Sequence, residues 1–236
     1  MRTAFVAAVL AALVSAPQAS ACDSRIGAGA GSTHASYTAK VLIPGTVVRS
    51  GPGSGVVLGH LATALDEIGH APMRLLVLDE AAGTDGRCWL QAELPQRPNG
   101  RTGWVLADNT FVTKTVWRIE IDIASRALTA RRDGVVVRTL SVDVGAAATP
   151  TPRGLFHVLW ARHTPGGPLG PWILPISAHS NVLQQYAGGP GRIALHSKVA
   201  GSHASHGCVR LDSAAIEWLV ATIGRIGIAG VPVAIH

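Results

Sequence analysis

The stretch Ile193-Ala-Leu-His196-Ser-Lys-Val-Ala-Gly-Ser-His-Ala-Ser205-His206-Gly207-Cys208-Val-Arg210-Leu211 puts one thiol, three histidines and a flexible glycine into a single short run. Ile193-Ala-Leu195 reads as a strand that holds the His196 ring rigidly at its end. A thiol reacts as the thiolate, and a nearby imidazole can accept its proton and later return that proton to a leaving group. Gly207 lets the backbone turn tightly just before the sulfur. The amides of Gly207 and Cys208 are therefore expected to face a developing oxyanion. The combination points to acyl transfer, with Cys208 as nucleophile and His196 as base.

The other polar groups of the run carry weaker signals. His206 lies two positions before Cys208, so in extended backbone it falls on the same side as the sulfur. It is expected to support the site, by donating to an oxyanion or to substrate or by fixing the turn. His203 and His179 read as surface histidines. His196, His203, His206 and Cys208 together also invite a zinc site, because imidazole and thiolate are good zinc ligands; their spacing does not decide between metal and nucleophile. Against every functional role stands an ordinary one: a buried inert cysteine, or a structural histidine.

Taken with its flanks, the run resembles the catalytic signature of the L,D-transpeptidases of bacterial cell walls. In that signature a histidine at a strand end is followed by a loop and then by Ser-His-Gly-Cys, an aliphatic residue and Arg or Asn. Ser205-His-Gly-Cys-Val-Arg210 matches without a break. Gly145, Thr149-Pro-Thr-Pro152, Gly154, Gly170-Pro-Trp172, Ser180-Asn-Val182 and Gly188-Gly189 extend the likeness over about half the chain. The resemblance implies a mainly β catalytic domain of sandwich type with one or two short helices, and catalytic roles for Cys208, His196, Ser197, His206 and Gly207. It implies that Ser197 orients the His196 imidazole, and that Arg210 and Ser205 belong to the substrate-contacting set. Arg210 is expected either to meet a substrate carboxylate or to brace the Cys208 loop through carbonyls.

The implied substrate is a peptidoglycan stem peptide, with no cofactor and no metal. Attack falls on the bond between the L-centre of a diamino acid and a terminal D-alanine. A second stem resolves the thioester into a cross-link, or water resolves it in the alternative of an L,D-carboxypeptidase. Family members commonly accept carbapenems, so Cys208 is an expected site of carbapenem acylation. The chain departs from the pattern in two places. His196 and Cys208 are only 12 positions apart, a shorter loop than the family usually carries, and Ser197 stands where many members have glycine. The short loop predicts weaker control over what resolves the thioester.

Residues 1–21 combine Arg2, an apolar stretch from Ala4 to Val14 and the small residues Ala19-Ser-Ala21, the pattern of a secretory leader. The apolar stretch falls short of the roughly 20 residues that a spanning helix needs, so export rather than anchoring is expected. Cleavage after Ala21 would leave Cys22 first, open either to lipidation, the only route to the membrane, or to a disulfide with Cys88 in an oxidising compartment. Cys208 is then the left-over thiol. A formal charge of +6 and a pI near 9.9 suit anionic wall polymers. No basic face or motif points to nucleic acid.

Residues 22–38 are rich in Gly, Ala and Ser and read as a flexible tether. Between residues 39 and 113, short apolar runs alternate with turns: Val47-Val-Arg49, Arg74-Leu-Leu-Val-Leu78, Cys88-Trp-Leu-Gln-Ala92 and Gly103-Trp-Val105. This spacing predicts a small all-β barrel. Val48-Arg-Ser-Gly-Pro and Gly103-Trp-Val resemble bacterial SH3-like envelope domains, which implies either attachment to cell-wall polymers or a spacer. Residues 116–236 are expected to form the catalytic domain. There Ile119, Ile121 and Ile123 alternate with polar residues, and Asp133-Gly134 predicts a hairpin. A helix follows the Cys208 loop, capped by Asp212 or Ser213, carrying Ile216, Leu219, Val220 and Ile223 on one face and closed by Gly224. Tyr186, Gly188-Gly-Pro-Gly191 and Pro165–Pro171 fall in loops that form cleft walls or ordinary connections.

Overall fold

A computed structural model describes residues 22, 26, 32–66, 70–198 and 204–236. The expected leader at 1–21 and much of the expected tether lie outside them. Strands dominate, in three larger sheets and one small one. The first sheet runs, edge to edge, β3 (Val57–Leu61), β2 (Thr46–Arg49), β8 (Thr102–Leu106), β7 (Cys88–Glu93), β6 (Arg74–Ala82), β1 (Ser36–Val41) and β9 (Thr110–Thr115). Beside it lies the short pair β4 (Ala64–Leu65) and β5 (Ala71–Pro72).

This first sheet corrects the expected SH3-like barrel. Its two edges, β3 and β9, pair with only one neighbour each and not with one another, so the sheet stays open. The two faces of the interior strand β6 show why. Leu75 and Val77 point into a core shared with Ala39, Val41, Leu61, Met73, Leu90 and Val105, while Leu76, opposite Glu93 and Thr38, is buried on the other face. A small closed barrel buries only its inside. Here the second face is used to dock the rest of the chain.

That docking face carries a buried polar pair. The ring of His157, wholly buried, has Nδ1 2.8 Å from Glu93 Oε2 and Nε2 2.8 Å from the Arg74 carbonyl oxygen. Both ring nitrogens thus lie within hydrogen-bond distance of an oxygen on the first sheet. The Cys22 and Cys88 sulfurs form a disulfide. β1 begins at Ser36, three residues inside the stretch read as tether. Ser36 and Thr38 are buried because strand pairing satisfies their backbone and Thr38 Oγ1 lies 2.9 Å from Thr113 Oγ1.

The second half builds two sheets around one core. One runs β12 (Val135–Ser141), β11 (Ala127–Arg132), β10 (Trp117–Asp122), β18 (Pro232–Ile235) and β13 (Gly154–His157). The other runs β14 (Arg162–His163), β15 (Trp172–His179), β16 (Arg192–Ser197) and β17 (Val209–Leu211). The expected hairpin joins β11 to β12 through Asp133 and Gly134, both left-handed (φ 50° and 78°), as a two-residue turn requires. The C-terminal strand does not close an edge. β18 lies inside its sheet, parallel to β10 and antiparallel to β13, and all four of its residues are buried.

α1 (Ser213–Ile223) is the one α-helix among the described residues, and it buries Ile216, Leu219 and Val220 against the same core. Asp212 occupies its N-cap but reaches Lys198 Nζ at 3.4 Å instead of capping. Trp218 lies beneath the Arg138 guanidinium, 4.8 Å from the ring centroid, in a packing role. No helix among the described residues is long and apolar enough to cross a membrane.

Candidate active site

β16 and β17 run parallel, which places His196 beside Arg210 and Ser197 beside Leu211. His196 is 4% exposed, and its Nδ1 lies 2.7 Å from the Ser197 carbonyl oxygen. A carbonyl can only accept, so Nδ1 holds the proton and Nε2 is left as the basic nitrogen. The orienting group is thus the Ser197 backbone. Its hydroxyl points elsewhere, accepting from Ser213 Oγ at 3.1 Å and abutting Gly170, where a Cβ would collide with it.

The turn before the sulfur is held by side chains. Ser205 Oγ donates to the Cys208 carbonyl at 2.5 Å and accepts from the Gly207 N–H at 3.0 Å. Thr151 Oγ1 donates to the Gly207 carbonyl and accepts from the Gly145 N–H, both at 2.9 Å. Gly207 has φ 119°, and a Cβ there would meet Ile193 Cδ1 at 2.9 Å, so glycine is required twice over. The pair of amides expected at an oxyanion is reduced to one. Gly207 N–H is committed to Ser205, whereas Cys208 N–H makes no hydrogen bond among the described residues.

Burial sets the resting charges. It pushes the Cys208 thiol above its ordinary range, opposed by a backbone hydrogen bond from Ala194 and by the Arg210 charge. The same burial lowers His196, with the Ser197 carbonyl opposing and Arg210 adding to the effect. A neutral thiol thus sits with a neutral imidazole. Arg210 is 9% exposed and donates from Nη1 to the Ala204 carbonyl at 2.9 Å, bracing the loop while also lining the cleft.

The cleft has a volume of 330 Å³. It is lined by Cys208, His196, Ser205, His206, Ala194 and Arg210 and by a second stretch of chain, Ser180, Leu183, Tyr186, Ala187 and Gly191. His206 is exposed and turns away from any backbone partner. Its Nδ1 lies 3.2 Å from Tyr186 Oη, and the two rings stack with centroids 5.1 Å apart. The sequence marks Tyr186 only as a loop residue; nothing in its neighbourhood of the chain signals that it touches His206. Leu169 brings the Gly- and Pro-rich loop to the cleft, its carbonyl accepting from Ser197 N–H at 2.9 Å.

His179 is not a surface residue. It is 3% exposed at the end of β15, where burial and the charges of Arg192 and Arg97 lower its pKa to about 3. His203 lies outside the described residues, and with it the zinc alternative. Among those residues the one trio of donors close enough to share an ion is Cys22, Glu80 and Cys88, and its two sulfurs are bonded to each other.

The YkuD proteins of Bacillus licheniformis and Bacillus subtilis are similar to this chain. The first is 28% identical over 57% of this chain and 81% of its own length. The second is 29% identical over 41% of this chain and 54% of its own length. A solved L,D-transpeptidase from Xylanimonas cellulosilytica is 29% identical over 52% of this chain and 61% of that chain, with a TM-score of 0.37. The family model for the YkuD L,D-transpeptidase catalytic domain matches residues 117–235, the segment that carries both sheets around Cys208 and His196. By that match the chain belongs to the YkuD family of L,D-transpeptidase catalytic domains.

Proposed function

We propose that this protein cross-links peptidoglycan stem peptides through a thioester on Cys208. The observation that carries the reading is that Cys208 and a buried His196, tautomer set by the Ser197 carbonyl, line one cleft of a YkuD-family domain. The thiol proton passes to His196 Nε2 as sulfur bonds the carbonyl carbon of the diamino acid residue. Cys208 N–H donates to the oxyanion. Collapse breaks the C–N bond, and D-alanine departs with the proton from His196. A side-chain amine of a second stem then attacks the thioester and gives its proton to His196, which returns it to the leaving sulfur.

Because thiol and imidazole start neutral, proton transfer accompanies attack rather than preceding it. Ser205, Gly207 and Thr151 hold the nucleophile's backbone, Arg210 braces it and biases both reacting groups, and His206 with Tyr186 borders the substrate. The disulfide between Cys22 and Cys88 supports work outside the cytoplasm, and the positive charge suits an anionic wall. We assign catalysis to residues 116–236 and a supporting role to residues 39–113.

Incubation with a defined tetrapeptide stem and intact-mass measurement tests the reading. A Cys208 adduct equal to the stem less D-alanine, followed by cross-linked dimer, is expected. Tripeptide alone would make the protein a carboxypeptidase, and no adduct with either the stem or a carbapenem would overturn the assignment.

A further inference from the structure

We infer that Arg97 and Asn99, on the turn between β7 and β8 of the first sheet, are positioning residues for the catalytic cleft. The inference rests on the reading of Cys208 as the reacting centre. The stretch 180–191, which lines part of the cleft wall, is hydrogen-bonded by a side chain from 83 to 93 positions away. Arg97 Nη1 donates to the Ser180 carbonyl at 2.7 Å, and Nη2 donates to the carbonyls of Leu183 at 3.0 Å and Pro190 at 2.9 Å. Asn99 Nδ2 donates to the His179 carbonyl at 2.7 Å and to Asn181 Oδ1 at 3.0 Å, and its Oδ1 accepts from the His179 N–H at 2.8 Å.

Gly191 is the independent sign that this seat is built for a guanidinium. A Cβ there would meet Arg97 Nη2 at 3.1 Å and collide with the Leu183 carbonyl, and Gly191 holds φ 68°. A planar fork with five donors suits three convergent carbonyls; an ammonium does not span them. Arg192 returns a bond the other way, from Nη2 to the Pro95 carbonyl at 3.2 Å. The wall so held carries Tyr186 against His206, two residues from the sulfur. The first sheet therefore shapes the surface on which the stem peptide lies without touching the reacting atoms.

Arg97→Ala is the test, read three ways. Amides of residues 181–191 should exchange hydrogen at least about tenfold faster while those of 192–197 stay protected. KM for the tetrapeptide should rise about tenfold, with kcat within about threefold of wild type, as expected when binding is lost uniformly. Alkylation of Cys208 by iodoacetamide should stay within about twofold, since that small probe needs no wall. Arg97→Lys should recover only part of the KM, and it carries the test if Arg97→Ala fails to fold. Wild-type exchange in both variants, or an unchanged KM, overturns the inference. A wild-type protein that ignores the stem overturns the proposed function instead, and the exchange arm still decides on the wall.

Discussion

The two walls of the cleft are built differently. The wall with Cys208 is strand-built, and the groups that hold it, Ser197, Thr151, Ser205 and the Asp143 to Arg210 bridge, all belong to the second half of the chain. The other is a loop pinned within itself by the Ser180 N–H to Gly191 carbonyl bond, the turn over Ser180 Oγ and the Tyr186 to Gly189 turn, and its carbonyls are also held by Arg97 and Asn99 from the first half. Chemistry that tolerates errors of a fraction of an ångström is thus placed on rigid local pairing. The loop instead draws part of its support from another part of the molecule.

The most damaging substitutions should act on the strand wall alone. Cys208→Ser should lower acyl transfer at least on the order of a thousandfold, and His196→Ala on the order of a hundredfold, without disturbing the loop wall. Retained stem turnover in Cys208→Ser, followed by mass spectrometry, would remove the nucleophile from this site.

Acid should act on the loop wall first. His179, at its base, has its pKa lowered to about 3 from 6.5 in the folded protein. Between those values the unfolded chain binds the proton and the folded one does not. Stability is therefore full above pH 6.5 and drains as pH falls toward 3, by up to roughly 4 kcal/mol. Urea unfolding at pH 7, 5 and 4 should show this slope, and His179→Gln should flatten it.

Gly207→Ala tests the turn itself. Left-handed backbone strain and the Ile193 contact should cost about 1–3 kcal/mol of stability and displace the sulfur. Ser205→Ala, which strands the Cys208 carbonyl and the Gly207 N–H, should cost about as much. Both are read as a loss in kcat by tetrapeptide turnover, and unchanged kcat in either would make the side-chain scaffold of the turn idle.

The smallest effect concerns charge. Burial holds the Cys208 thiol up while Arg210 pulls it down, so Arg210→Gln should move the pH profile of iodoacetamide labelling upward and slow labelling at pH 7 by less than about tenfold. A profile that stays in place would confine Arg210 to bracing the Ala204 carbonyl.

Strongly local signals are legible in the chain alone. The Asp133-Gly134 hairpin, the alternation at Ile119 and Ile121 and the helix over Ile216, Leu219 and Val220 all follow from dihedral preference and periodicity within a few residues. That His196 and Cys208 line one cleft is legible too, because the two lie close in the chain. Gly207 is readable only in part: its residue type announces the turn, but the capture of its N–H by Ser205 depends on the folded loop.

The amino-acid order by itself carries the run from His196 to Arg210, the family to which the chain belongs and the strands that flank that run. Folding in three dimensions was needed to fix that the first sheet stays open, that β18 pairs on both sides inside its sheet, that His179 is buried and that Tyr186 meets His206. The reason is the range of the interactions. Turn chemistry and periodicity act over a few residues, while sheet closure, strand order and the contact of Arg97 with Ser180 depend on which of many distant partners fit, and no local pattern encodes that choice.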